Sequence, residues 1–468
     1  DEASPGDTIL VHSGGYDGFD ANVVGITVKA ASTPVINGTG ISVDGQLVGV
    51  LVSAHNVTIQ GFIINGTYST GIYVYNSATP PHGAQIKDNI IDQTWYDPGA
   101  LATWDGGAIY AKASGSAPTV ISGNYIAFGN FQTRPHNGIG LWGYIGYQLD
   151  ANYIISGNTI NITDHPKYQI GINVRTGHGS AMIENNTVIC WNKNMGAWTR
   201  VFGIWLYGGG LDNATNIIVE NNTVTKTEYA VWITGPYADN ITIRDNNLSG
   251  NRLAGLIIED LASAVDIMEN TISNNKWGIY LDLETDASKV EIHYNNIQDN
   301  TDYGVRNLGP EEVNATYNWW GDATGPYHGT SWMYMGSPYG PHYGLGDNVS
   351  DYVLYVPWLQ VVHDVAVIDV SVSPTTVVAG ETVTINVTVE NQGSDYENFT
   401  VTVYYDDTLI GSQDVINLFP SWNTTLTFYW NTTGMPRGNY TIKANATIVP
   451  GETDTIDNQL IDGTVEVL

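Results

Sequence analysis

The string Ile86-Lys87-Asp88-Asn89-Ile90-Ile91 decides the fold, because it returns along the chain with only its details changed. It is Ile121-Ser122-Gly123-Asn124-Tyr125-Ile126 one step on, then Ile155 to Ile160 around Asn158, Ile183 to Val188 around Asn186, and Val219 to Val224 around Asn222. Asn246, Asn270, Asn295 and Asn318 close the series, and the successive spacings are 35, 34, 28, 36, 24, 24, 25 and 23 residues. A second string, Gly-apolar-x-apolar, accompanies it as Gly71-Ile72-Tyr73-Val74, Gly171-Ile172-Asn173-Val174, Gly203-Ile204-Trp205-Leu206, Gly255-Leu256-Ile257-Ile258 and Gly278-Ile279-Tyr280-Leu281. Short alternating runs punctuated by Gly and Asn describe a coil of strands and turns, since no run carries a helical apolar stripe of useful length. One coil cannot bury its inner face alone, so coils must stack. An Asn at the same turn of every coil then bonds to the coils above and below, satisfying buried turn amides at ~4.8 Å steps.

The pattern resembles the right-handed parallel β-helix of the pectate-lyase-like superfamily, in particular its NosD-like and CASH-type repeat proteins. The resemblance implies a solenoid over residues 1–361. Ala3-Ser4-Pro5-Gly6-Asp7-Thr8-Ile9-Leu10-Val11 looks like the opening coil of such proteins, in which an amphipathic cap normally comes first; here the sequence starts almost at the coil. Asn318-Trp319-Trp320-Gly321-Asp322 with Gly325-Pro326 resembles the closing segment, and Tyr355-Val356-Pro357-Trp358-Leu359 the last strand, around an irregular stretch at 323–350. From His363-Asp364 the texture changes to period-2 runs such as Val383-Ile385-Val387-Val389 and Val401-Val403-Tyr405, separated by turn signals at Asp406-Asp407 and Pro436-Arg437-Gly438-Asn439. Several short strands at this spacing predict a β-sandwich over residues 362–468. Ser373-Pro374, Ala379-Gly380-Glu381, Asn391-Gln392-Gly393 and Pro450-Gly451-Glu452-Thr453-Asp454 make it similar to the Ig-like CARDB domain, which implies attachment or spacing at a cell surface. The expected fold class is all-β, a right-handed parallel β-helix followed by an Ig-like β-sandwich.

Composition narrows the partners. Sixteen Lys+Arg against 47 Asp+Glu give a net charge of −31, yet charged residues are only 13% of the chain, against ~25% in ordinary domains. Nucleic acid and anionic membrane surfaces are excluded, because both require basic patches. No run approaches the ~18 apolar residues of a membrane span, so no insertion is expected. Cys190 is the single cysteine, which rules out an intrachain disulfide and a cysteine metal cluster. Asn-x-Ser/Thr begins at Asn37, Asn56, Asn65, Asn161, Asn185, Asn213, Asn221, Asn240, Asn247, Asn314, Asn348, Asn386, Asn398, Asn423, Asn431, Asn439 and Asn445. That is seventeen sequons, where chance placement gives about seven. Either the Asn-rich repeat makes sequons as a by-product, or the chain is an N-glycosylated secreted or surface protein. Six sequons lie in the last 105 residues, outside the repeat, and favour the second reading.

Parallel β-helices also carry polysaccharide lyases and hydrolases. Gly177-His178-Gly179-Ser180 resembles the Gly-His-Gly string of polygalacturonases, but their Asn-Thr-Asp and paired Asp-Asp are replaced by Asn161-Ile162-Thr163-Asp164 alone. Two carboxylates are what glycosidic cleavage needs. Arg134-Pro135-His136-Asn137-Gly138 resembles the Asp-Pro-His string of uronate epimerases with Arg in place of Asp. Arg175 and Arg200 offer a cationic base for a lyase, and no spacing selects them. No catalytic residue is assigned.

Two surface features remain. The middle position of Gly-apolar-x-apolar points outward, which reads rung by rung as Tyr73, Tyr110, Trp142, Asn173, Trp205, Trp232, Ile257, Tyr280 and Arg306. Such a stripe needs a cover: the chain's own long coils around 92–104 and 127–140, a polysaccharide, or another subunit. Tyr73, Tyr110, Trp142, Trp205, Trp232 and Tyr280 are therefore the candidate interface or glycan platform. Glu259, Asp260, Asp282, Glu284, Asp286, Glu311 and Glu312 follow one turn on consecutive rungs; Asp282, Glu284 and Asp286 are candidate ligands for calcium, against a plain solvated edge. The expected function is an extracellular, N-glycosylated structural protein that assembles head-to-tail with copies of itself into a surface layer or filament. The alternative is a secreted carbohydrate-active protein, either lyase/hydrolase or binding module.

Overall fold

The computed structural model describes residues 3–43, 46–66, 68–93, 107–128, 136–143, 151–163, 169–177, 179–190, 200–209, 213–262, 264–329, 342–360 and 362–468. It divides into two units, Asp1–Leu359 and Gln360–Leu468.

The first unit winds through three parallel sheets, successive coils adding strands to the long and the aromatic side and most of them also to the short one. A long sheet of thirteen strands runs from Thr8–Val11 to Val353–Leu354. A short sheet of eight strands runs from Gly14–Tyr16 to Thr223–Thr225 and is followed by the pair Thr271–Ser273 and Asn296–Gln298. The third sheet runs from Phe19–Ala21 to Tyr303–Asn307, with the antiparallel Ile41–Val43 beside its second strand; it is called the aromatic sheet below.

Alternation sends like residues to like places. Ile59, Ile86, Ile121, Ile155, Ile183, Val219, Ile243, Ile267 and Ile292 are in register and wholly buried. Each such side chain removed from water contributes about 1.5–3 kcal/mol, so the core of the solenoid is a stack of β-branched columns.

The Asn column forms as the sequence predicts. From Asn89 to Asn295, the backbone N–H and Nδ2 of each ladder residue both donate to Oδ1 of the next at 2.9–3.0 Å. Nδ2 also reaches a carbonyl of the preceding coil, as Asn222 does to Ile183 O at 2.8 Å. The residue before each ladder Asn turns through the left-handed region, at φ 54° for Asn221 and 56° for Asp245. The glycine of Gly-apolar-x-apolar has a steric reason. A Cβ on Gly171 would lie 2.5 Å from both Gly203 O and Val188 Cγ1, so the wall bends there only because the side chain is missing.

The second unit is a sandwich. Val365–Ser373, Thr382–Asn391 and Asn423–Asn431 form one antiparallel sheet. Thr376–Val377, Gln459–Val467, Gly438–Ala446, Glu397–Tyr405 and Thr408–Leu418 form the other. Val383, Ile385, Val387, Val389, Val401 and Val403, the inward phase of the alternating runs, lie in its core.

Candidate functional site

The outer face of the aromatic sheet is where the chemistry-bearing side chains gather. Register places Trp205 beside Trp232, Trp232 beside Ile257, Ile257 beside Tyr280 and Tyr280 beside Arg306. Three expectations need correction. Tyr73 and Tyr110 are wholly buried in a separate outer cluster with Val48, Leu51 and Tyr75, packed by Ile41, Val43 and Trp142. They cannot be an open platform. Trp142 is not in the stripe, since Gly140 pairs with both Tyr110 and Asn173 while Trp142 pairs with Lys112 and Arg175. Gly138 and Gly140 offer two registers two residues apart, which share a face but not a column. Gly138 is the one whose Cβ the next coil forbids, 2.7 Å from Gly171 O.

The residue before the wall glycine also carries rings, a column the motif reading passed over. Phe202 pairs with Tyr229, and Ala254 with Trp277, which pairs with Tyr303. The rings pack on one another. Trp205 and Trp232 are stacked at 4.8 Å with 9° between planes, and Phe202 stacks on Trp232 at 4.3 Å. Cations take further faces: the Arg175 guanidinium lies 4.2 Å over Trp142 and 4.4 Å over Tyr207. Arg306 sits 5.4–5.7 Å from Trp277, Tyr280 and Tyr303.

Two carboxyls on this side are held above their ordinary range. Glu228, 4% exposed, is raised by burial and partly restored by Arg252 and Arg200; its Oε1 meets Arg252 at 2.6 Å. Glu259 is raised by burial, moderated by the bond it accepts from Trp232 Nε1 at 2.9 Å, and pushed further by Asp282 and Asp260. Burial, with Glu228 adding to it, pushes the Tyr229 phenol up to about 12, so it stays neutral in any physiological medium.

The calcium candidates do not converge. Asp282 Oδ1 caps its own turn, accepting from Glu284 N, Thr285 N and Thr285 Oγ1. Glu284 is exposed, and Asp286 is lowered by its bonds from Ser288 and Lys289, the latter at 3.0 Å. Among the described residues no group of three or more His, Cys, Asp or Glu could hold a metal ion. Arg134, Pro135, Asp164 and His178, with residues 94–104 and 129–135 of the two long coils, lie outside the described residues.

A second ladder runs five residues after the first. Thr227 N and Oγ1 donate to Asn251 Oδ1, Asn251 N to Asn275 Oδ1, Asn275 N and Nδ2 to Asn300 Oδ1, and Asn300 N and Nδ2 to the Asp347 carboxylate. Its signal is an Asn five residues after Asn246, Asn270 and Asn295. Burial raises Asp347 to about 6, against the bonds from Asn300 and with help from the Asp299 charge.

The asparagines sort by position. All nine of the first ladder are buried, while all seventeen that begin sequons are exposed or half-exposed. The eleven in the solenoid lie in the long and short sheets, in the strand Gly346–Asn348, or in turns; none lies in a strand of the aromatic sheet.

Comparison with known proteins agrees with this architecture. The family model described as the right handed beta helix region matches residues 48–236 and 207–318, more than half of the chain. The chain belongs to the right-handed β-helix family. Behind the β-helix, the CARDB model matches residues 362–451. Two solved structures are similar to that part. One is the CARDB domain of a Pyrococcus furiosus protein in complex with di-metal ions, at 28% identity and TM-score 0.20, covering 23% of this chain and 94% of that one. The other is a domain of a candidate cell surface protein from Methanosarcina acetivorans, at 28% identity and TM-score 0.20, covering 23% and 93%. No curated protein matches the chain. A β-helix joined to a CARDB domain is typical of cell-surface and extracellular proteins. Among the described residues, no helix is long and apolar enough to cross a membrane.

Proposed function

We propose that the protein is a glycosylated structural subunit of a cell surface, which packs sideways against copies of itself through the aromatic sheet. The observation that carries this reading is the segregation of sequons from that sheet. Glycans on the other sides would keep them in water and leave the aromatic side bare for a neighbour. Charge supports a second copy as that neighbour. Lys112, Arg175, Arg200, Arg252, Lys276 and Arg306, six of the sixteen cations, lie on the aromatic strands or beside their ends, together with the carboxylates of Asp20, Glu228, Glu259, Asp260, Asp282 and Asp302, so this side carries both signs of charge and can match another copy of itself. A sugar platform is less well supported, because a pyranose stacks on an open ring face and these faces are taken by other rings and by guanidinium groups.

Trp232→Asn tests the side-on reading with one change, because Ile233-Thr234 already follows and a sequon results. Asn173 shows that this column accepts Asn. In an N-glycosylating host, wild type and Trp232→Gln should sediment as oligomers and glycosylated Trp232→Asn as monomer. A wild-type chain that stays monomeric at high concentration would sink the reading.

A further inference from the structure

The largest exposed aromatic cluster of the sandwich lies beside sequons. Tyr396, Phe419 and Trp422 are 53%, 44% and 61% exposed, with centroids 4.7 Å apart for the first pair and 4.9 Å for the second. The cluster is held, not splayed. Buried Asn391 donates from Nδ2 to Asp395 O at 2.6 Å and Leu418 O at 2.8 Å, and its backbone N–H donates to Trp422 O. One asparagine thus ties together the two loops that carry the rings.

Strand alternation aims a sequon at them. Glu397 and Phe399 are buried, so Asn398 and Thr400 share the outer face of the strand Glu397–Tyr405, and the exposed Tyr396, two residues before Asn398, directly precedes that strand. Residues two apart on one face stand ~6.5–7 Å apart, about the width of one sugar ring. Asn398 Oδ1 accepts from Asn417 N at 2.8 Å, which holds the carboxamide beside the strand that leads to Phe419. Its Nδ2 donates no hydrogen bond among the described residues. Trp422 directly precedes a second sequon, Asn423.

We infer that Tyr396, Phe419 and Trp422 seat the N-linked glycan of Asn398, whose first pyranose packs its C–H face on the rings. This rests on the reading that the sequons are used. The linkage joins Asn398 Nδ2 to the anomeric carbon of a sugar supplied on a lipid phosphate; the amide gives up one proton, and the lipid phosphate leaves with the bonding pair. The tether then supplies a high effective concentration for a contact that would be weak between free partners. An acidic partner does not suit the patch, because this unit carries 2 Lys+Arg against 14 Asp+Glu from His363 onward. A neutral, covalently delivered sugar covers the apolar area without that repulsion.

The test is a double-mutant cycle on the full chain made in an N-glycosylating secretory host, with occupancy mapped by glycopeptide mass spectrometry. Asn398→Gln should lower the melting midpoint of the sandwich by about 2–4 °C, and by nothing measurable in a Tyr396→Thr/Trp422→Thr background. Ring-current upfield shifts of the protons of the Asn398-linked sugar give a second readout that needs no substitution. Equal shifts in both backgrounds, no ring-current displacement, or an empty Asn398 beside occupied sequons would each overturn the inference. Failure of the glycoprotein reading looks different: no sequon would be occupied in material from the native cell surface, whatever the cycle shows.

Discussion

Replacing Asp347 with Asn changes one atom at the end of a ladder whose three preceding rungs, Asn251, Asn275 and Asn300, are already Asn. Its carboxylate accepts from Asn300 N at 3.1 Å and Nδ2 at 2.7 Å, the pair that Asn275 gives to Asn300 Oδ1 one rung earlier. An amide oxygen can take both bonds without a buried charge. The folded carboxyl is raised from 3.8 to about 6, so the native state holds its proton more tightly than the unfolded chain. Its contribution is therefore fully present below about pH 3.8 and is lost as pH rises through about 6. At ~1.4 kcal/mol per unit the ceiling is about 3 kcal/mol. Partial solvent access, with the Asp299 charge facing the same group, brings the expectation down to about 1–2 kcal/mol. Asp347→Asn should thus stabilise the last coils by about 1–2 kcal/mol at pH 7.5 and leave them unchanged near pH 4. Hydrogen exchange of the Asn300 and Gly304 amides, followed at both pH values beside chemical unfolding, measures it. A difference between the two chains that does not vary with pH would refute the reasoning, because only the titration distinguishes them.

Other expectations follow from the same geometry. Asn222→Ala removes the acceptor of Asn186 N and Nδ2 and should cost about 3–5 kcal/mol, seen as lost protection of the Asn186 amide and a lower unfolding midpoint. Gly171→Val should cost more than about 3 kcal/mol, because its Cβ meets a carbonyl and a core methyl at 2.5 Å; Ala in the same column, as at Ala230, marks the largest residue the wall admits. Trp232→Phe keeps a ring but removes the donor to Glu259, so the Glu259 carboxyl should titrate at higher pH than in the wild type, read by carboxyl carbon shifts.

The solenoid was legible because its determinants are local and repeated. Asn89 to Asn318 recur at one turn, and a period-2 string flanks them, so a single sequence displays the stacking many times. The sandwich was legible for the same reason on a smaller scale, in Val383-Ile385-Val387-Val389. The site was less so. Which way a ring faces follows from alternation, but whether it is covered depends on neighbours far off in sequence, and Tyr73 and Tyr110 lie under the Ile41–Val43 hairpin. Trp142 was misplaced by a two-residue ambiguity between Gly138 and Gly140 that only the clash with the next coil resolves. Asp282, Glu284 and Asp286 look like a ligand set in a line of text, yet the turn they build consumes Asp282 internally. The second ladder was hidden because its first and last members, Thr227 and Asp347, are not Asn.

The claim that the aromatic sheet contacts neighbouring copies is tested most directly by a photo-crosslinking side chain placed at Tyr280 and activated on intact cells, beside the same group at Asn296 in the strand pair that follows the short sheet. The account predicts covalent dimers of this chain from position 280 and none from position 296. Crosslinks from position 280 to polysaccharide or to an unrelated protein, or dimers from both positions alike, would contradict it.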